Sequence, residues 1–161
     1  MSSRPALGSL AFFVLAPGST AGLVPWLITR WHVAASAWAT VVGAVVVVAG
    51  TTLVVASFVQ FVVEGRGTPA PVAPTEELVV GGLYRWVRNP MYVGVAAAIA
   101  GQAVMFASWG VAAWFAVFVA AVTTFVRVYE EPTLRRTYGT SYDAYTGAVR
   151  RWVPRARPWR P

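Results

Sequence analysis

The run VVGAVVVVAGTTLVVASFV, residues 41–59, carries no charge along its whole length. Roughly 20 apolar residues are needed for a helix to cross a hydrocarbon core about 30 Å thick. The run therefore reads as the centre of a transmembrane helix from about residue 37 to residue 63. Composition agrees, since 57% of the 161 residues are hydrophobic and only 12% are charged, far from the balance of a soluble globule.

Working outward, three further apolar segments emerge at about 8–29, 90–107 and 109–128. The first is interrupted by Pro17-Gly18. It has Arg4 before an apolar run, as a signal peptide would, but it is too long and no clear small-x-small cleavage site follows. The last two segments are parted only by Ser108 to Gly110, which predicts a tight antiparallel hairpin. The expected fold is an all-α integral membrane protein. It has four or five transmembrane helices, a helical hairpin and an amphipathic C-terminal segment on the cytoplasmic side. It divides into an N-terminal helix pair, residues 1–63, and a half that holds the chemistry, residues 64–161. Gly43, Ala44, Ala49 and Gly50 suit close helix packing in the first part.

The formal net charge is +7, and all 13 basic residues are arginines. With four spans, every arginine except Arg30 falls on one side, and the positive-inside rule makes that side cytoplasmic. Both termini are then cytoplasmic, and the acidic residues lie there too. The charge belongs to membrane topology and not to nucleic acid. The absence of lysine beside many Ala, Val and Arg residues suggests a high-GC bacterial source, so a bacterial inner membrane is the expected setting.

Absences narrow the chemistry. No cysteine means no thiolate nucleophile and no thiolate-bound metal. Without lysine there is no Schiff base. The single histidine, His32, lies on the side away from the charges, which leaves no Ser-His-Asp triad and no histidine metal site among them. No dinucleotide or phosphate-loop fingerprint has its required strand–turn–helix context. What remains is a reaction that needs position and electrostatics more than a nucleophilic side chain.

Two stretches stand out against this background. The first is YRWVRNPMYVG, residues 84–94. Asn89-Pro90 makes a good helix start, with Asn at the N-cap and Pro in the first turn, but Tyr84, Arg85, Arg88 and Tyr92 exceed what a cap needs. The second is Arg127-x-x-Glu130-Glu131. Two of only six acids stand at the expected end of the fourth helix, where the helix dipole disfavours them. The hairpin returns this end to the start of the third helix, so Arg88, Asn89 and Tyr92 should meet Arg127, Glu130 and Glu131. Between residues 65 and 82 the chain is rich in Pro and Gly, and Glu76-Glu77-Leu78-Val79-Val80 could form an extended strip over a ligand. In the tail, Tyr138, Tyr142 and Tyr145 share a helical face. With Trp152 and the arginines at 150, 151, 155, 157 and 160 they suit a membrane-surface anchor.

The pattern Gly82-Leu83-Tyr84-x-x-x-Arg88-Asn89-Pro90-x-Tyr92-x-Gly94, then a hairpin, then Glu130-Glu131-x-x-Leu134-x-x-x-Tyr138-Gly139-x-x-Tyr142-x-x-Tyr145, resembles the isoprenylcysteine carboxyl methyltransferase family. These integral-membrane enzymes are related to the phospholipid N-methyltransferases, and the resemblance covers about residues 76–154. It implies S-adenosyl-L-methionine as cofactor and a lipophilic, isoprenoid or phospholipid-like acceptor met among membrane lipids. No metal is implied. It also implies that Glu76, Glu77, Leu78, Val79 and Tyr84 belong to a segment over the cofactor. Arg88, Asn89, Pro90, Met91 and Tyr92 fall on the family's Arg-His-Pro-x-Tyr motif, and Glu130 on its cofactor-holding acid. In catalysis Arg127 would orient a carboxylate acceptor, Glu131 would accept a proton from an amine, and Asn89 would donate a hydrogen bond. Asn89 stands where the prenyl-cysteine enzymes have histidine, and Val126 where they have a substrate-contacting arginine, which leaves the acceptor open. A small four-helix transporter using Glu64, and an inactive scaffold of the same fold, are the alternatives.

Overall fold

The computed structural model describes residues 15–65 and 78–160, and these residues contain helices and no strand. Helix α1 covers 15–29, with a π-helical turn at Ser19–Leu23 before Val24–Thr29. Helix α2 is Ala37–Gly65 and α3 is Pro90–Met105. Helix α4, Trp109–Phe125, runs through a π-helical turn, Val126–Glu130, into α5, Glu131–Tyr138; α6, Thr140–Ala148, follows. Ala37–Gln60 and Trp109–Tyr138 are long and apolar enough to cross a membrane, and Pro90–Met105 is a shorter apolar helix. At 1.5 Å per residue the 16 residues of α3 extend about 24 Å.

Glycines set the packing of α2 on α3. A Cβ on Gly43 would stand 2.6 Å from the Gly101 carbonyl oxygen, and one on Gly50 2.6 Å from that of Gly94. Built the other way, Cβ atoms on Gly94 and Gly101 would meet the Gly50 and Gly43 carbonyls at 2.8 and 2.7 Å. Such reciprocal contacts fix an antiparallel register and let the two backbones touch, which is how helices gain packing energy where no hydrophobic drive separates them from lipid. The division expected at residue 64 falls in the last turn of α2 itself. On the other side of α2, Val41, Val45, Val48, Val55 and Val59 form an exposed apolar stripe.

Pro17-Gly18 does not interrupt α1, because residues 15–18 are helical and the helix widens after them. The cause lies further on, at Pro25. The Val24 N–H reaches back to the Ser19 carbonyl, and Pro25 has no N–H to offer. Side chains of other helices donate to the carbonyls of Thr20 and Ala21. Trp114 Nε1 donates to Thr20 O at 2.8 Å, and Gln102 Nε2 to Ala21 O at 2.6 Å. These bonds tie α1 to α4 and α3 away from the polar end, where an unpaired buried amide would be costly.

The α3–α4 turn is short, as its sequence suggests. Ala107 takes a left-handed φ of 48°, and Ser108 Oγ accepts the Val111 N–H at the start of α4. The far end of α4 differs from expectation. Glu130 and Glu131 do not sit at a helix terminus, because the chain stays helical through the π turn to Tyr138. The dipole argument therefore does not apply to them; the π turn is what aims them.

Candidate functional site

The polar end of the bundle is built on three segments: the 78–89 connection, the first turn of α3, and the α4–α5 junction. A turn of 3-10 helix, Gly82–Arg85, carries Tyr84 inward, where it is buried. Gly82 is needed there, since its φ is +42° and a Cβ would overlap the Gln60 side chain. Pro90 then starts α3 and places Tyr92 one turn in.

Tyr92 donates its hydroxyl proton to Glu130 Oε2 at 2.9 Å. Beside it, Glu131 is held by two cations. Arg151 meets it with both Nε and Nη2, at 2.6 and 2.7 Å, and Arg88 Nη1 lies 3.2 Å away. A two-pronged guanidinium–carboxylate contact of this kind is among the stronger polar interactions. Its hydrogen bond to Glu131 also raises the Arg151 pKa. The two adjacent carboxylates are thereby made unlike: Glu131 is neutralised twice over, whereas Glu130 is bonded to a neutral phenol. Arg88 Nε is buried with no hydrogen-bond partner among the described residues.

A family model for phospholipid methyltransferases matches residues 38–141. The chain belongs to that family. Among curated proteins no relative matches. The phospholipid methyltransferases are enzymes that methylate lipid-type substrates. The matched span includes α2, α3, α4 and the Tyr92–Glu130 pair.

The structure brings some of the expected residues together and sends others elsewhere. Tyr92 reaches Glu130, and Arg88 reaches Glu131. Asn89 is at the N-cap position of α3 but makes no side-chain cap; its Nδ2 donates instead to the Arg151 carbonyl at 3.1 Å. Pro90 is buried at the helix start. Met91 packs on the apolar core of Val54, Val95, Ile99 and Val111, so it faces the bundle interior. Arg127 is exposed on the π turn and forms no ion pair among the described residues. Val126 beside it is buried. Leu78 and Val79 are described without strand structure, and Leu78 and Val80 pack on Tyr142, Tyr145 and Val149. Glu76 and Glu77 lie outside the described residues.

The tail is the part that residue patterns did not foretell. Gly139, with φ +53°, parts α5 from α6, and α6 turns Tyr142 and Tyr145 inward. The Tyr145 hydroxyl donates to the Tyr84 carbonyl at 2.7 Å. Burial raises both phenols, Tyr142 to about 12, with the charge of Glu131 adding and Arg88 opposing. Beyond Val149 the chain folds back along the 85–88 segment. Arg88 N–H donates to Arg150 O, Arg155 N–H to Trp86 O and Trp159 N–H to Arg85 O, each at 2.9 Å. Trp152 stands 6.5 Å from Tyr92, centroid to centroid. An anchor lying loose on the membrane would make none of these bonds. Pro154 and Pro158 are the one local signal, since they exclude a helical anchor there. Nothing local singles out Arg151 from the other tail arginines.

Proposed function

We propose that the protein transfers a methyl group from S-adenosyl-L-methionine to a lipid acceptor at the cytoplasmic face of a membrane. One observation carries this reading. Among the described residues, the polar end holds a carboxylate whose side-chain hydrogen bond is to a phenol, Glu130, and a buried guanidinium nitrogen with no hydrogen-bond partner, Arg88 Nε. The amino-acid part of S-adenosyl-L-methionine bears one ammonium and one carboxylate, so this pair suits both ends.

In this reading Glu130 holds the ammonium and Arg88 the carboxylate, with Tyr92 fixing the Glu130 rotamer. Tyr84 and the Leu78–Val80 stretch form the wall beside them. When bound, the cofactor supplies an electrophilic methyl on a sulfonium. The chain's contribution is to hold donor and acceptor in near-attack geometry. Glu131, bound by two guanidiniums, serves the architecture of the site; a carboxylate so paired is a poor proton acceptor. Asn89 secures the tail through the Arg151 carbonyl. Arg127, exposed at the π turn, is placed to meet an anionic headgroup. Family membership favours a phospholipid-like acceptor, as does the absence of the prenyl-cysteine enzymes' histidine and arginine at 89 and 126.

The four apolar helices cross the bilayer in this arrangement, with residues 64–89 and everything after 126 on the arginine-rich, cytoplasmic side. Residues 1–63 supply framework and 64–161 the site. Calorimetry on the detergent-solubilised protein should show binding of S-adenosyl-L-methionine. Glu130→Gln keeps an acceptor for Tyr92 but removes the charge, and should weaken binding about 10- to 100-fold, the range for losing a hydrogen bond to a charged group. No binding by the wild-type protein would sink the proposal.

A further inference from the structure

The family match ends at residue 141, yet Arg151, ten residues on, joins two parts of the polar end that lie within it. Its carbonyl oxygen accepts from Asn89 Nδ2 and its guanidinium takes both oxygens of Glu131. Three main-chain bonds from residues 150, 155 and 159 to 85–88 keep it there. The cluster also has an accounting that needs an explanation. Glu131 has two arginine partners, and the second one, Arg88, commits a single nitrogen to it at 3.2 Å while Arg88 Nε is buried with no hydrogen-bond partner among the described residues.

We propose that Arg151 is a positioning residue which, by saturating Glu131, keeps Arg88 available for the carboxylate of the bound cofactor. Without Arg151, Arg88 is the one cation left within ion-pair distance of Glu131 among the described residues. A guanidinium that faces a bare carboxylate turns to meet it with two nitrogens, and the donor left for an incoming anion is lost. The tail is then part of the binding site although it contributes no atom to the ligand. The inference rests on the cofactor reading given above and adds to it the source of selectivity for the carboxylate end.

The experiment compares two ligands, S-adenosyl-L-methionine and its decarboxylated analogue, by calorimetry on the full-length protein in detergent. Wild type should prefer the carboxylate-bearing ligand. Arg151→Gln should lower that preference roughly tenfold, the effect of losing one charge-assisted hydrogen bond, while affinity for the analogue stays near wild type. Arg151→Lys, which keeps a cation on Glu131, should fold like wild type and restore part of the preference. Glu131→Gln should keep the preference, because no carboxylate then competes for Arg88. If Arg151→Gln and Glu131→Gln lower the preference alike, the effect is loss of tail docking and the proposal is overturned. It is overturned equally if Arg151→Gln leaves the preference unchanged. Failure of wild type to bind either ligand would instead bring down the cofactor reading itself.

Discussion

The glycine seam between α2 and α3 and the polar end above it are held by opposite means. The seam has no side chains at its closest points: Gly43, Gly50, Gly94 and Gly101 let backbone touch backbone. The polar end is all side chains and bonds that join residues far apart in sequence, Tyr92 to Glu130 and Arg151 to Glu131. A surface of the first kind tolerates no added volume at its contact points. A surface of the second kind tolerates volume but not a change of donor or acceptor. Lipid makes this division natural, since dispersion is what remains for apolar helices to use and unpaired polar groups are what they cannot carry.

The largest effect should come from breaking the seam. In Gly50→Leu the new side chain starts 2.6 Å from the Gly94 carbonyl, so the helices must separate. We expect about 3 kcal/mol or more of lost stability, at the upper end of overpacking costs. Loss of the monodisperse peak in detergent chromatography checks it. Tyr92→Phe changes the other surface. It removes one hydrogen bond at Glu130, worth about 1 kcal/mol, and should weaken cofactor binding several-fold with a melting temperature close to wild type. A fall in melting temperature as large as that of Gly50→Leu would show that the two surfaces are not separate. The smallest effect is that of alkali. Folded Tyr142 has its pKa raised from 10.0 to about 12, so its contribution to the docking of α6 is complete below pH 10 and is lost as pH rises to about 12. Ultraviolet phenolate titration should show a late-titrating class of tyrosine, with the seam still intact by circular dichroism.

The two surfaces were not equally legible in the sequence. Helix α2 follows from an uncharged run, and glycines 43 and 50 announce a close contact, because a span's hydropathy and small residues are local properties. Which helix they would face is not local, and Gly94 and Gly101 became partners only in the fold. At the polar end, the proximity of Arg88 and Tyr92 to Glu130 and Glu131 follows from a three-residue turn between two helices. Of the tail, Pro154 and Pro158 exclude a helix, but where it docks does not follow from anything local. Three of its bonds to 85–88 join main-chain atoms, which are the same for every residue type, and five arginines in eleven positions give no reason to prefer Arg151. The π turn at 126–130 was equally hidden, since no residue type marks a helix that widens by one residue instead of ending.

One measurement of the fold bears on the membrane itself. Helix α3 extends about 24 Å, several ångströms less than a typical hydrocarbon core of about 30 Å. A short span draws the bilayer down around it or draws its own ends inward. Tyr92 lies in the first turn of that helix, so in the membrane arrangement proposed above a bilayer thinned around α3 would lower a lipid headgroup toward Glu130 by the shape of the membrane, before any residue touches it.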